Sequence, residues 1–166
     1  MPRDHVDRIQ EQWRVERPDL DASPQGVIGR LHRVGDHLRE ELVAVFRKHG
    51  LGEGDFDVLA SLRRTGEPYE LPAGELAEHT MVTSGGMTKR LDRLEQAGLV
   101  ARRVDADDAR VRRVRLTEHG RDVIDEAFAD HMRNEARLLE GLPASDRDAL
   151  VRILRDWLLR LEDPID

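Results

Sequence analysis

The 166-residue chain carries 34 Asp/Glu against 27 Lys/Arg, a net charge of -7, with 37% charged and 39% hydrophobic residues. It has no cysteine, which excludes disulfide frameworks, thiolate metal sites and thiol redox chemistry. No signal-peptide core opens it and no apolar run nears the roughly 20 residues of a membrane helix, so a cytoplasmic protein with no membrane partner is expected.

The charge is unevenly spread. From Met81 to Arg115 there are nine Lys/Arg against five Asp/Glu, a local +4 that leaves -11 for the rest of the chain. An acidic body bearing one basic stretch suits a protein that presents a single face to phosphate.

Val27, Ile28, Leu31, Val34, Leu38, Leu42, Val45 and Phe46 recur at three- and four-residue steps and predict one long amphipathic helix. Ser23-Pro24 supplies its start signal and Gly50 its stop. After the glycine-rich turn LGEGD, a shorter helix covers Phe56 to Leu62, ended by GEPYELP. Leu71 to His79 reads as a short helix with Leu76 and Ala77 facing inward, and a turn leads into a helix from Thr83 to Gln96. Two helices joined by a short turn form a helix-turn-helix candidate. Gly85-Gly86 falls in the first turn of the second helix, where small residues let the backbone approach a ligand closely.

Gly98 stops that helix, and Leu99 to Arg102, the polar turn DADDAR and Val111 to Leu116 form a hairpin. Thr117 caps a helix running through Val123, Ile124, Ala127, Phe128, Met132 and Leu138 to Leu139. Gly141 and Pro143 break it. Ser145 and Asp148 start a last helix whose buried face is expected to be Leu150, Ile153, Leu154, Trp157, Leu158 and Leu161.

A helix-turn-helix followed directly by a basic hairpin is the winged arrangement, in which one helix fits the major groove and the hairpin reaches the backbone or minor groove. Opposite Met87, Leu91 and Leu94, the helix presents Ser84, Thr88, Lys89, Asp92 and Arg93. Any amphipathic helix has a solvated charged face; the adjoining basic hairpin is what favours nucleic acid.

Residues 30 to 160 resemble the MarR family of winged-helix transcriptional regulators, through FDVLASLRR, ELAEHTMVTSGGMTKRLDRLEQAGLVARR and RRVRLTEHGRDVI. The resemblance implies a mainly α fold with a small β-hairpin wing, a winged helix-turn-helix with an intertwined helical dimerisation region. The implied organisation is an extra N-terminal helix in 1-22, a dimerisation region in 23-50 and 117-166, and a DNA-binding lobe in 51-116. It further implies a homodimeric repressor on a palindromic double-stranded DNA operator. Residues 83 to 96 would enter the major groove and residues 103 to 113 the minor groove. The DNA-binding set is Thr83, Ser84, Gly85, Thr88, Lys89, Arg93, Arg110 and Arg112. The wing departs from the family's common Asp-Pro-x-Asp-Arg-Arg: here Asp105-Ala106-Asp107-Asp108-Ala109-Arg110 lacks the first arginine, so insertion rests on Arg110, helped by Arg112.

RIQEQWRVERPDLDASPQGVIGRLHR is similar to the urate-responsive (PecS-like) branch of that family. The similarity implies a ligand pocket from Trp13, Asp57, Arg64 and Arg90, with Arg102 a further candidate. A planar purine anion wants a stacking surface and the parallel donors of a guanidinium. Other small anions, tricarboxylates or phenolic acids, suit the same pocket. Taken singly, Trp13 also serves helix packing, and Asp57 with Arg64 also serves a polar helix face.

The seven histidines include no HExxH and no metal-site spacing, and P-loop, GxGxxG and GxSxG signatures are missing, so no catalytic residue, metal or cofactor is expected. The rival from another class is a helical dimeric interaction module that never touches DNA. It leaves the basic concentration in one hairpin and its preceding helix unexplained.

Overall fold

The apolar stripe that begins at Val27 folds as one 24-residue helix, and the other elements are arranged along it. The computed structural model describes residues 2–80 and 86–162, apart from the side chains of Ala77 and Glu78. The described elements are α1 (His5–Glu16), α2 (Gln25–Lys48), α3 (Glu53–Arg64), β1 (Glu70–Pro72), α4 (Leu76–His79), α5 (Met87–Gln96), β2 (Val100–Val104), β3 (Arg112–Leu116), α6 (Glu118–Leu138) and α7 (Ala144–Glu162).

Two glycine stop signals act as expected. Gly50 (φ 71°) follows α2, and the Leu51 N–H closes back on the Phe46 carbonyl at 3.0 Å. Gly98 (φ 71°) follows α5, with the Leu99 N–H on the Leu94 carbonyl at 2.9 Å. Each ends its helix in the left-handed turn that glycine adopts without strain, and drops the next leucine into the core. Thr117 caps α6, its hydroxyl oxygen accepting from the Gly120 N–H at 2.9 Å.

Several boundaries differ from expectation, each for a local reason. Pro24 occupies the N-cap of α2, while the Ser23 hydroxyl donates to Asp21 at 2.8 Å instead of capping. The α3 helix starts at Glu53, inside the stretch read as turn, because the Asp55 carboxylate accepts from the Gly52 N–H at 3.0 Å and satisfies the helix start. Leu71 to His79 is not one helix: Glu70–Pro72 is a strand and only Leu76–His79 is helical. Pro72 is tolerated because β1 is the edge of a three-stranded antiparallel sheet ordered β1-β3-β2, with Leu71 opposite Val114. Helix α5, expected from Thr83, begins at Met87, with Gly86 (φ 84°) at its N-cap. Gly86 therefore stands before the first turn, and Thr83, Ser84 and Gly85 lie outside the described residues. The last helix starts at Ala144, so Ser145 is inside its first turn.

The main core joins α2, α3, α4, α5, the sheet and α6 through Phe46, Leu59, Leu62, Leu76, Leu94, Val114 and Ile124. Phe46 stacks on Phe56 at 4.1 Å between ring centroids. Gly120 lets α6 approach the backbone just before β2, since a Cβ there would collide with the Leu99 carbonyl oxygen. At the far end α1 packs on α2, with Val6 against Gly29 and the Gln10 amide donating to the Ala22 carbonyl at 2.8 Å.

The expected apolar face of α7 is not buried within the chain. Leu150, Ile153, Leu154, Leu158 and Leu161 are exposed, as are Phe128, Met132 and Leu139 around α6 and Val27, Ile28, Leu31, Val34 and Leu38 along α2. Helical periodicity locates an apolar face but does not say whether the same chain or another covers it.

Candidate nucleic-acid interface

Recognition helix α5 is amphipathic: Leu91 and Leu94 enter the core, while Thr88, Lys89, Arg93 and Gln96 are exposed. Its two acids do not stand free beside them. Arg102 on β2 bonds Asp92 (2.8 Å) and Glu95 (2.8 Å), and the Arg102 N–H donates to Glu95 at 3.0 Å. These bonds hold the Glu95 carboxyl below its ordinary range, the Arg102 side chain contributing most and its backbone N–H next. Arg102 thus ties the recognition helix to the root of the wing and neutralises charge that would repel phosphate. Its guanidinium serves this clamp, away from the ligand set to which the sequence also pointed.

Arg93 pairs with Asp55, whose carboxylate is buried at the start of α3, yet most of the Arg93 side chain remains exposed. Asp55 therefore holds two groups, the helix-start N–H of Gly52 and a recognition-helix arginine. One turn earlier, Arg90 lays its guanidinium on Gly54, at a position a Cβ would occupy, and its Nη1 is buried without a hydrogen-bond partner among the described residues. Sequence reading missed Gly54 and Asp55, since a Gly-Asp pair after a helix end reads as turn chemistry.

Two of the three acids of the wing turn hold its backbone. Asp105 accepts the N–H groups of Asp107 (2.9 Å) and Asp108 (3.2 Å), and Asp108 accepts that of Arg110 (2.9 Å). Arg113 covers Asp105 from the adjacent strand and, with those two N–H donors, lowers its carboxyl to about 2. Arg110 stands at the tip with its side chain 91% exposed, paired with Asp108 at 3.1 Å, and Arg112 donates to the Ala109 carbonyl at 3.1 Å. The wing thus ties two of its three carboxylates, Asp105 and Asp108, into its own turn, leaves Asp107 exposed, and presents a guanidinium at its end.

The residues proposed for a ligand divide into two places. Asp57 is buried on α3; Arg64, at the end of α3, donates to the His79 carbonyl, which also accepts from Ser61 at 2.8 Å; Arg90 sits at the α3–α5 junction. Arg64 also lines an open hollow of about 330 Å³ with Ala60, Ile124 and Phe128. Trp13 lies elsewhere, 47% exposed on α1, in a hollow lined by residues of α1 and Arg3. The α2 stretch between the α1 contact at Gly29 and the α3 contact at Phe46 is about 25 Å long, so one chain does not bring Trp13 to the other three. Among the described residues no acidic or histidine cluster could hold a metal ion, and no helix is long and apolar enough to cross a membrane.

Residues 49–111 match the model of the MarR family. The chain is 38% identical over 149 residues to the HTH-type transcriptional regulator PecS of Dickeya dadantii, covering 90% of each protein. It is 34% identical over 134 residues to the HTH-type transcriptional repressor Rv2887 of Mycobacterium tuberculosis, covering 81% of this chain and 93% of that protein. Its fold is similar to that of a mutant MarR from E. coli complexed with operator DNA, with TM-score 0.71, 25% identity, and coverage of 84% and 99% of the two chains.

Proposed function

The chain belongs to the MarR family as a DNA-binding transcriptional regulator, and we propose that it is a cytoplasmic homodimeric repressor of a palindromic operator, released by a small anion such as urate. Half-sites would lie about one helical turn, roughly 10 bp, apart. Thr88, Lys89 and Arg93 meet the major groove, as do Thr83, Ser84 and Gly85, which lie outside the described residues; Arg110 and Arg112 meet the minor groove. The exposed apolar faces of α2 and α7 supply the dimer surface.

The observation that carries the effector reading is Arg90. A buried guanidinium nitrogen without a partner is costly, and an anion beside it satisfies the missing bond. Arg90 is on the recognition helix, so an anion that draws it off Gly54 shifts that helix between two positions. Trp13 joins Asp57, Arg64 and Arg90 in a dimer that carries α1 of one copy to α3 of the other.

A DNA-shift assay on the intergenic region beside the chain's own gene tests this, across a salt series and with urate, citrate and salicylate as competitors. Affinity falling steeply with salt, and release by urate that Trp13→Phe and Asp57→Ala blunt, are the expected results. Affinity flat in salt removes the operator reading, and unchanged urate release in both variants removes the pocket.

A further inference from the structure

A series of charged groups runs from the edge of the sheet to the tip of the wing. On β1, Glu70 accepts two bonds from Arg103 of β2, at 2.7 and 3.0 Å, and lies 3.8 Å from Arg113 of β3. Arg113 passes on to Asp105, and Asp105 holds the turn that carries Arg110. Although two arginines share it, the Glu70 side chain is only 6% exposed.

The strand register makes that carboxylate necessary. Arg103 and Arg113 are direct partners across the β2–β3 ladder, and like charges placed opposite one another push a hairpin apart. Glu70 draws both guanidinia toward β1. An exposed surface ion pair would contribute little, but a buried carboxylate whose removal leaves two facing cations is a different case.

We propose that Glu70 is a positioning residue for operator binding: by holding Arg103 and Arg113 together it fixes the hairpin and, through Asp105, the direction in which Arg110 points. Glu70 itself does not touch DNA. This rests on the reading of Arg110 as the wing's DNA contact, and the test separates the two.

Operator affinity is measured for the full-length protein, for Glu70→Gln, for Arg110→Ala and for the double variant, with thermal melts on each. Dimethyl sulfate protection reads guanine N7 in the major groove and adenine N3 in the minor groove. The expected result is affinity about five- to tenfold weaker in each single variant, and a double variant within about twofold of Arg110→Ala alone, because residues acting through one contact are not additive. Adenine N3 protection at the flanks should fall in Glu70→Gln while guanine N7 protection at the half-sites stays, a split that general unfolding does not produce. Arg103→Gln, at a more exposed position, should show the same split if Glu70→Gln melts too early to assay. Wild-type affinity in Glu70→Gln with weakened binding in Arg110→Ala overturns the role of Glu70 and leaves the wing reading standing. Full additivity, or equal loss in both grooves, overturns action through the tip. Weakened binding in Glu70→Gln with none in Arg110→Ala overturns the wing reading and, with it, the proposed route from Glu70 to DNA.

Discussion

The guanidinium of Arg90, on the recognition helix, lies directly on Gly54 in the first turn of α3, in the space a side chain at that position would fill. Alanine is favoured over glycine inside a helix by up to about 1 kcal/mol, and the atoms a new methyl group meets are the end of a flexible side chain. Gly54→Ala should therefore fold with an unchanged or slightly raised melting temperature while moving Arg90 off its seat. Operator affinity without urate should then fall at least about fivefold, a shift of about 1 kcal/mol toward the released position of the helix, and added urate should lower it little further. A thermal melt and operator titrations with and without urate measure these quantities. Unchanged titrations would show that the seat of Arg90 plays no part in the response.

Asp55 holds its neighbour differently, by charge. One carboxylate oxygen accepts from the Gly52 N–H at the start of α3, and the other pairs with Arg93. Asparagine keeps an oxygen for the helix start but loses the charge, so Asp55→Asn should cost about 1 kcal/mol or less in stability. Operator affinity should fall several-fold, since Arg93 loses the partner that orders it, at a cost of about 1 kcal/mol in side-chain freedom. Guanidinium denaturation and operator titration on the same preparation separate the two effects. Affinity higher than wild type would mean instead that Asp55 competes with phosphate for Arg93.

The wing turn gives a pH dependence of defined sign. The Asp105 carboxyl, lowered from 3.8 to about 2 chiefly by Arg113 and then by the N–H groups of Asp107 and Asp108, favours the ordered turn whenever it is ionised. Its contribution is complete above about pH 4, where both the free and the ordered carboxyl are ionised, and is lost as the pH falls through about 2. NMR titration of the Asp105 carboxyl carbon should give a midpoint near 2, with the amide shifts of Asp107 and Asp108 moving together. A midpoint near 3.8 would mean that the turn does not hold Asp105 as described.

The parts of the fold legible in the sequence were those written in local chemistry. Gly50 and Gly98 marked helix ends because only a left-handed residue closes them, and Thr117 marked a start because its hydroxyl replaces a missing helical partner. Strand β1 was missed because three residues ending in proline carry no periodicity; the strand exists through its pairing with β3. DADDAR was legible only as a polar turn, because sequence does not show that Asp105 and Asp108 give their oxygens to backbone N–H groups. Arg93 was legible as a cation on the helix expected to face DNA and Arg90 as one of the ligand set, but their seats on Asp55 and Gly54 lie some 35 to 40 residues away along the chain, and only packing brings them together.

The apolar face of α7 was legible as a stripe, while a second copy as its partner came only from the family resemblance, and this yields the most direct test of assembly. Leu154, Trp157, Leu158 and Leu161 form an open trough with Ile28 and Leu31 of α2. Leu158 is 52% exposed in the single chain, so replacing it should change the stability of an isolated protomer by no more than about 0.5 kcal/mol. If a second copy covers the trough, the same change buries a carboxylate in an apolar interface at a cost of several kcal/mol. Leu158→Glu should therefore sediment as a monomer at micromolar concentration where the parent is a dimer. Two linked half-site contacts gain about 10²-fold or more over one, so operator affinity should fall by at least that factor, with the helical circular-dichroism signal largely kept. A Leu158→Glu protein that remains dimeric would place the interface away from α7 and leave the apolar stripe of α2 as the surface to examine.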